Sequence, residues 1–300
     1  MTAIEVVDLS KHFHLRSGGL KRTTLKAVDR VSFDLTPGRT VALVGESGSG
    51  KSTIARMLAR LEKPTSGRIN VTLDDRTPVG GSIYRRHVQM VFQDPFASLN
   101  PFHSIEHHIA RPLLIHGRTH GRQETHERVL QMLERVNLKP AEDMALRRPH
   151  ELSGGQRQRV AIARALAPGA QVLIADEPVS MLDVSIRLEV LNLMARLQRE
   201  DNLAVLYITH DLATARHFSD EILVMFRGRI VERGPADDVI LTPQHAYTKL
   251  LALAAPDPEK AGKVVGTETA FDHKTMDNQS TYNHFTREWT SADGKVLESA

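Results

Sequence analysis

Residues 39–53 read Arg-Thr-Val-Ala-Leu-Val-Gly-Glu-Ser-Gly-Ser-Gly-Lys-Ser-Thr, and this stretch decides the fold. Arg39 to Val44 is a short apolar run with β-branched residues, suited to a strand buried on both faces of a parallel sheet. From Ile54 to Leu61 the composition turns helical, so the glycines fall at a strand-to-helix turn. Gly45, Gly48 and Gly50 allow left-handed backbone and close approach of a ligand. The turn's N–H groups and the positive end of the helix dipole then point at an anion. Within this loop, whose other members are Glu46, Ser47, Ser49 and Thr53, Lys51 supplies a point charge for β- and γ-phosphates. Ser52 supplies a hydroxyl for Mg²⁺. An ordinary Gly/Ser loop matches this pattern by chance in only about one chain in a hundred of this length.

A second strand, Gln171 to Ala175, has the same apolar character and runs into Asp176-Glu177-Pro178. Ligands of open α/β sheets gather at the carboxyl ends of strands. There Asp176 can join a Mg²⁺ shell and Glu177 can take a proton from water. Standing alone, the pair would read equally well as a solvated acidic turn. Leu152-Ser153-Gly154-Gly155-Gln156 precedes a helical spacing of apolar residues, Val160, Ala161, Ala163 and Leu166. Ser153 occupies an N-cap position, so this helix start is a second anion site, separate from the first.

Together, the phosphate loop, Gln93, Leu152–Gln156, Asp176-Glu177, Ser180-Met181-Leu182-Asp183 and His210 resemble, in residue type and order, the ATP-binding-cassette ATPases over residues 1–255. The resemblance implies an α/β fold. It would comprise a RecA-like P-loop NTPase core with a parallel sheet, a small antiparallel β subdomain, a helical subdomain at about 94–157 and a short extension over 256–300. It also implies roles. Gly45–Thr53 would be the phosphate loop for ATP, with Ser52, Asp176 and Gln93 around Mg²⁺. Glu177 would be the base, with His210 and Gln93 placing γ-phosphate and water. Ser153, Gly154, Gly155 and Gln156 would cap the ATP held by a second cassette, beside Asp183. Phe13 would stack on adenine.

Longer phrases are similar to the branch that powers oligopeptide and dipeptide permeases. They are Val88 to Pro101, Asp183-Val184-Ser185-Ile186, Val190-Leu191-Asn192-Leu193, and Thr242-Pro243 with His245-Ala246-Tyr247-Thr248. That branch also serves oligosaccharides, opines and metal chelates. Its partners would be a second ATPase subunit (identical or paralogous), transmembrane permease subunits and, indirectly, an extracytoplasmic solute-binding protein. The expected place is the cytoplasmic face of the cell membrane. Departures are Ala246 where the branch has proline, Met181 where alanine is common, and the absence of cysteine. Lacking thiolates, the chain cannot hold the iron–sulfur centre some members carry.

Composition is compatible with this reading. A chain of 300 residues with 41% hydrophobic content can bury a full core. No apolar run is long enough to span a bilayer, and Met1 to Asp8 lack the layout of a secretion signal. A net charge of +3 argues against nucleic acid as a partner. A cassette acting on DNA or ribosomes would carry a long coiled coil or a second cassette. A P-loop kinase or GTPase would have no use for Leu152–Gln156.

Finer expectations concern the remainder. Residues 4–34 read as antiparallel strands joined at Ser17-Gly18-Gly19, and 39–92 with 158–230 as the parallel core. Spacing brings His103, His107 and His108 together, with no further ligand placed to complete a metal site. Beyond Pro256-Asp257-Pro258 the chain turns polar, with Phe271, Tyr282, Phe285 and Trp289 expected to pack a hairpin rather than touch a partner.

Overall fold

The computed structural model describes residues 3–16, 22–72, 81–254, 280–286, 288–291 and 296–299. Five parallel strands form the centre: β3 (Thr40–Val44), β5 (Val88–Val91), β6 (Val172–Asp176), β7 (Ala204–Thr209) and β8 (Glu221–Phe226). Their order across the sheet is β8-β3-β7-β6-β5. β3, β6 and β7 are buried at every residue, as their uninterrupted apolar runs require.

Alternation along each strand divides the interior into two cores. Val41 and Leu43 of β3 face one with Ile174, Leu206 and Leu223. Ala42 and Val44 face the other with Leu173, Ala175 and Val205. The first core is closed by α1 (Lys51–Leu58) and by a three-stranded antiparallel sheet. That sheet runs in the order β2-β1-β4, from β1 (Ile4–Arg16), β2 (Arg22–Leu35) and β4 (Ser66–Val71). The position of β4 corrects the expectation that all of 39–92 belongs to the parallel core. Ser-Gly-Arg-Ile-Asn-Val is largely exposed, and so polar a strand cannot be buried on both faces. It pairs antiparallel with β1 instead.

After α2 (Gly81–His87) and β5 the chain enters a helical arm. Its members are α3 (Pro95–Ser98), α4 (Ile105–Ile115), α5 (Arg122–Arg135) and α6 (Ala141–Leu146). α7 (Gly154–Leu166) returns it to the sheet, its buried Val160, Ala161, Ala163 and Leu166 in the second core. α8 (Val184–Glu200) and α9 (Leu212–Phe218) complete this layer. No helix among the described residues is long and apolar enough to cross a membrane.

β9 (Arg229–Pro235) pairs antiparallel with β8, and α10 (Ala236–Leu241) and α11 (Ala246–Ala254) follow. The sheet then continues outward through β10 (Thr281–Asn283), β11 (Glu288–Thr290) and β12 (Val296–Ser299). β10 runs parallel to β9, and β10–β11 form the expected hairpin with Tyr282 buried and Phe285 exposed. Ser17–Gly19 and residues 255–279, Phe271 among them, lie outside the described residues.

Candidate active site

The carboxyl ends of β3, β5, β6 and β7 lie side by side, so the residues that follow each strand converge. β3 delivers the loop Gly45–Gly50, and α1 begins at Lys51. Gly45 (φ 152°) and Gly50 (φ 112°) occupy backbone that side chains rarely adopt. A Cβ on Gly50 would overlap the Ala27 carbonyl, and one on Gly45 that of Met225. The Lys51 ammonium is buried and donates to the carbonyls of Gly45 (2.6 Å) and Glu46 (2.8 Å). Burial pulls its pKa below the usual lysine range, against the opposing pull of the Glu177, Asp176 and Glu46 carboxylates.

Ser52, one residue on, donates to Asp176 Oδ1 at 3.2 Å. Burial lifts the Asp176 carboxyl above its ordinary value, and the neighbouring Glu177 adds to the rise. The hydroxyl of Ser52 and the charge of Lys51 work the other way. An ammonium and a carboxylate are thus both held where water cannot compensate them.

Glu177 follows Asp176 with φ 47°, a conformation of a non-glycine residue that costs on the order of 1–3 kcal/mol. Its N–H donates to the Ile208 carbonyl of β7 (2.9 Å), and its carbonyl accepts from the Ser180 hydroxyl (3.1 Å). So held, its carboxylate meets two groups from adjacent strand ends. Gln93 Nε2, after β5, donates to Oε2 at 3.1 Å, and His210 Nδ1, after β7, lies 3.3 Å from the same oxygen. Three residues far apart in sequence therefore share one oxygen.

The other residues singled out by sequence lie elsewhere. Ser153 caps α7: its hydroxyl accepts from the Gln156 N–H (3.2 Å) while Gln156 Oε1 accepts from the Ser153 N–H (3.0 Å). The amides of Gly154 and Gly155, in the first turn, have no carbonyl four residues back within the helix. A Cβ on Gly155 would stand 2.5 Å from Ile186 Cγ2, so glycine there lets the helix start approach α8. Asp183 precedes α8 and is exposed. Phe13 lies half-buried on β1, with the Lys11 ammonium 5.0 Å from its ring centre.

Three contacts escaped the sequence reading. Arg187 donates to Asp211 (3.2 Å), next to His210, and to the Leu182 carbonyl (3.4 Å), next to Asp183. The Tyr247 hydroxyl accepts from the Glu46 N–H at 2.9 Å. Tyr247 stood inside a noticed phrase, but its partner lies across the chain and nothing local marks it. The three histidines do gather: His103 stacks on His107 at 4.0 Å, and His108 Nε2 is 3.0 Å from the Asn100 carbonyl. Among the described residues no group of three or more His, Cys, Asp or Glu could hold a metal ion.

A groove of about 900 Å³ extends from Ser52 and Asp176 past Gln93 to His107 and Arg111 of α4. Phe92 lines it and is exposed, and Phe96 and Phe102, neighbours in sequence of the lining residues Ala97 and His103, are exposed too, the last at 81%.

A family model described as "ABC transporter" matches residues 28–180. The glutathione import ATP-binding protein GsiA of Escherichia coli O6:H1 (strain CFT073) is 49% identical over 261 residues, 85% of this chain and 41% of that protein. The chain thus spans about two fifths of that relative's length. The di/tripeptide transport ATP-binding protein DppF of Pseudomonas aeruginosa (strain UCBPP-PA14) is 45% identical over 86% of this chain and 82% of its own. Among solved structures, cbiO1 from Clostridium perfringens, part of the ABC transporter complex cbiONQ, superposes with a TM-score of 0.67 at 27% identity. That match covers 80% of this chain and 91% of cbiO1. The dimeric cassette MJ0796, bound to ADP and Pi in a post-hydrolysis state, gives 0.66 at 29% identity, covering 78% and 98%. The motifs, the converging strand ends and these likenesses agree: the chain belongs to the ABC transporter family.

Proposed function

We propose that the chain is the ATP-hydrolysing subunit of an importer for di- or oligopeptides or related solutes, paired with a second cassette beneath a membrane permease. The observation that carries the reading is the convergence of Gln93, Glu177 and His210 on one carboxylate oxygen beside the Ser52–Asp176 contact. The import direction and the peptide class rest on the functions printed for GsiA and DppF. We place the protein on the cytoplasmic face of the cell membrane, where ATP is available, with a solute-binding protein acting on the far side. Residues 1–255 are the proposed cassette and 256–300 its extension.

The residues divide the work. Gly45–Thr53 wrap the triphosphate, Lys51 leaving its two carbonyl partners for the phosphate oxygens. Ser52, Asp176 and Gln93 offer hydroxyl, carboxylate and amide oxygens, a hard donor set that fits Mg²⁺, and the buried Asp176 carboxyl is the group a cation would relieve. Bound there, Mg²⁺ would neutralise charge on the β- and γ-phosphates. Glu177 accepts the proton of the attacking water as the bond from the γ-phosphorus to the bridging oxygen breaks, with Gln93 and His210 fixing its carboxylate. Ser153–Gln156 are the cap for the partner's nucleotide, beside Asp183, and Phe13 is the adenine platform. Exposed phenylalanines and basic residues make the α4 groove the proposed seat of a permease segment, so that closure of the pair is transmitted to the membrane.

Phosphate release per mole of protein should rise with concentration as pairs form, and Ser153→Ala should depress it. A rate per mole that is flat over concentration and indifferent to Ser153→Ala would end the paired reading.

A further inference from the structure

The phrase His245-Ala246-Tyr247-Thr248 takes no part in the catalytic corner, yet the structure ties it to the phosphate loop. Tyr247, in the first turn of α11, is 1% exposed and its ring packs on Phe226 with centres 4.4 Å apart. Its hydroxyl accepts the Glu46 N–H at 2.9 Å. Burial pushes that phenol up to about 12, so it stays a neutral hydroxyl. The carbonyl of the same Glu46 accepts from the Lys51 ammonium (2.8 Å) and the Ser49 N–H (3.2 Å). One residue of the loop is therefore gripped from both sides.

Behind Tyr247 the contacts continue to the C-terminal strands. The Tyr247 N–H donates to His245 Nδ1 at 3.1 Å. The N–H groups of Gln244 (2.8 Å) and His245 (2.9 Å) donate to the two carboxylate oxygens of Glu232 on β9, a residue with no exposed surface. The oxygen that meets Gln244 lies 2.6 Å from His284 Nε2, just after β10. His284 is fixed in turn: its N–H donates to the Arg233 carbonyl (2.9 Å) and its ring packs edge-on to Tyr282. It rests on Gly234, where a Cβ would overlap its own. A buried carboxylate binding the entrance of α11 and the tail together cannot lose one partner without shifting the other.

We propose that Tyr247 is a positioning residue for the phosphate loop, and that His284 of the C-terminal strands sets its position through Glu232. The extension is then a working part of the nucleotide site in this chain. This rests on the reading that Gly45–Thr53 holds ATP. The loop is pre-set when Tyr247 is seated, so its loss weakens ATP binding more than it slows the chemical step.

The test uses the full chain. ATP dissociation constants, KM and kcat are measured for the parent, Tyr247→Phe, His284→Ala, His284→Gln and the Tyr247→Phe/His284→Ala double variant, with melting curves for each. Tyr247→Phe, which removes one oxygen, should weaken ATP binding about 3–10-fold, the worth of one hydrogen bond, with kcat within about twofold. His284→Ala should move affinity the same way, and His284→Gln, whose amide can still donate to Glu232, should restore most of it. The double variant should be no weaker than Tyr247→Phe alone, since one line of contacts is cut twice. Unchanged affinity in Tyr247→Phe, or additive losses in the double variant, would overturn the proposal while leaving the ATP reading intact. A parent chain that binds no ATP would overturn both.

Discussion

The phosphate loop and the start of α7 are both helix beginnings proposed here to meet phosphate, yet they are satisfied in opposite ways. At the loop, Lys51 and Asp176 are buried with their charges poorly compensated, one pKa pulled down and the other pushed up. At α7, Ser153 and Gln156 satisfy each other's amides, and neither carries a charge. The first place is electrostatically costly as it stands, which fits the proposal that it binds nucleotide within one chain. The second has its Ser153 and Gln156 amides satisfied within the chain, and in the proposed scheme it gains only when a γ-phosphate is brought to the amides of Gly154 and Gly155. The difference explains why this architecture would bind first and pair second.

The severest trial of that contrast is Glu177→Gln. It should lower turnover by ~10²–10⁴ while leaving ATP binding in place, read from phosphate release beside equilibrium binding. Turnover at the parent rate would remove Glu177 as the base. Lys51→Ala comes next. Loss of a buried ammonium should weaken ATP binding about 10²-fold, and an unaltered dissociation constant would show that the loop is no more demanding than α7. Ser153→Ala should leave single-chain ATP affinity within about twofold, but lower concentration-dependent turnover and remove a cap worth ~1 kcal/mol. A matching fall in single-chain affinity would erase the distinction between the two sites.

The smallest effect sharpens the comparison further. Because burial raises the Asp176 carboxyl, its ionisation opposes folding. That penalty is absent below the unfolded carboxyl range and is complete once pH has risen through the folded value. Asp176→Asn should therefore raise the melting temperature of nucleotide-free protein by about 2–4 °C at neutral pH, with the gain shrinking as pH falls. A lower melting temperature at every pH would mean that the contacts to Ser52 and Lys51 outweigh the cost of burial.

Much of this was legible in the chain because the informative features are local. A strand, a glycine turn and a lysine lie within Thr40–Lys51, and the Ser153 cap needs only Gln156 three residues on. The apolar runs of β6 and β7 announce strands covered on both faces. What could not be read depends on remote partners. β4 is too polar to reveal which sheet accepts it, and the parallel pairing of β10 with β9 is decided by an edge laid down much earlier. The left-handed backbone of Glu177 is imposed by the Ile208 carbonyl and Ser180 around it. No property of the residues near Tyr247 points to Glu46.

The alternation along β3 carries one more consequence. Ala42 and Leu43 are joined by a peptide bond but answer to separate neighbourhoods: the core that includes α7, α8 and α9 for one, α1 and the antiparallel sheet for the other. Enlarging either side chain would press on a different half of the molecule. Adjacent codons therefore evolve under unrelated steric demands, and drift in one layer need not be answered by change in the other.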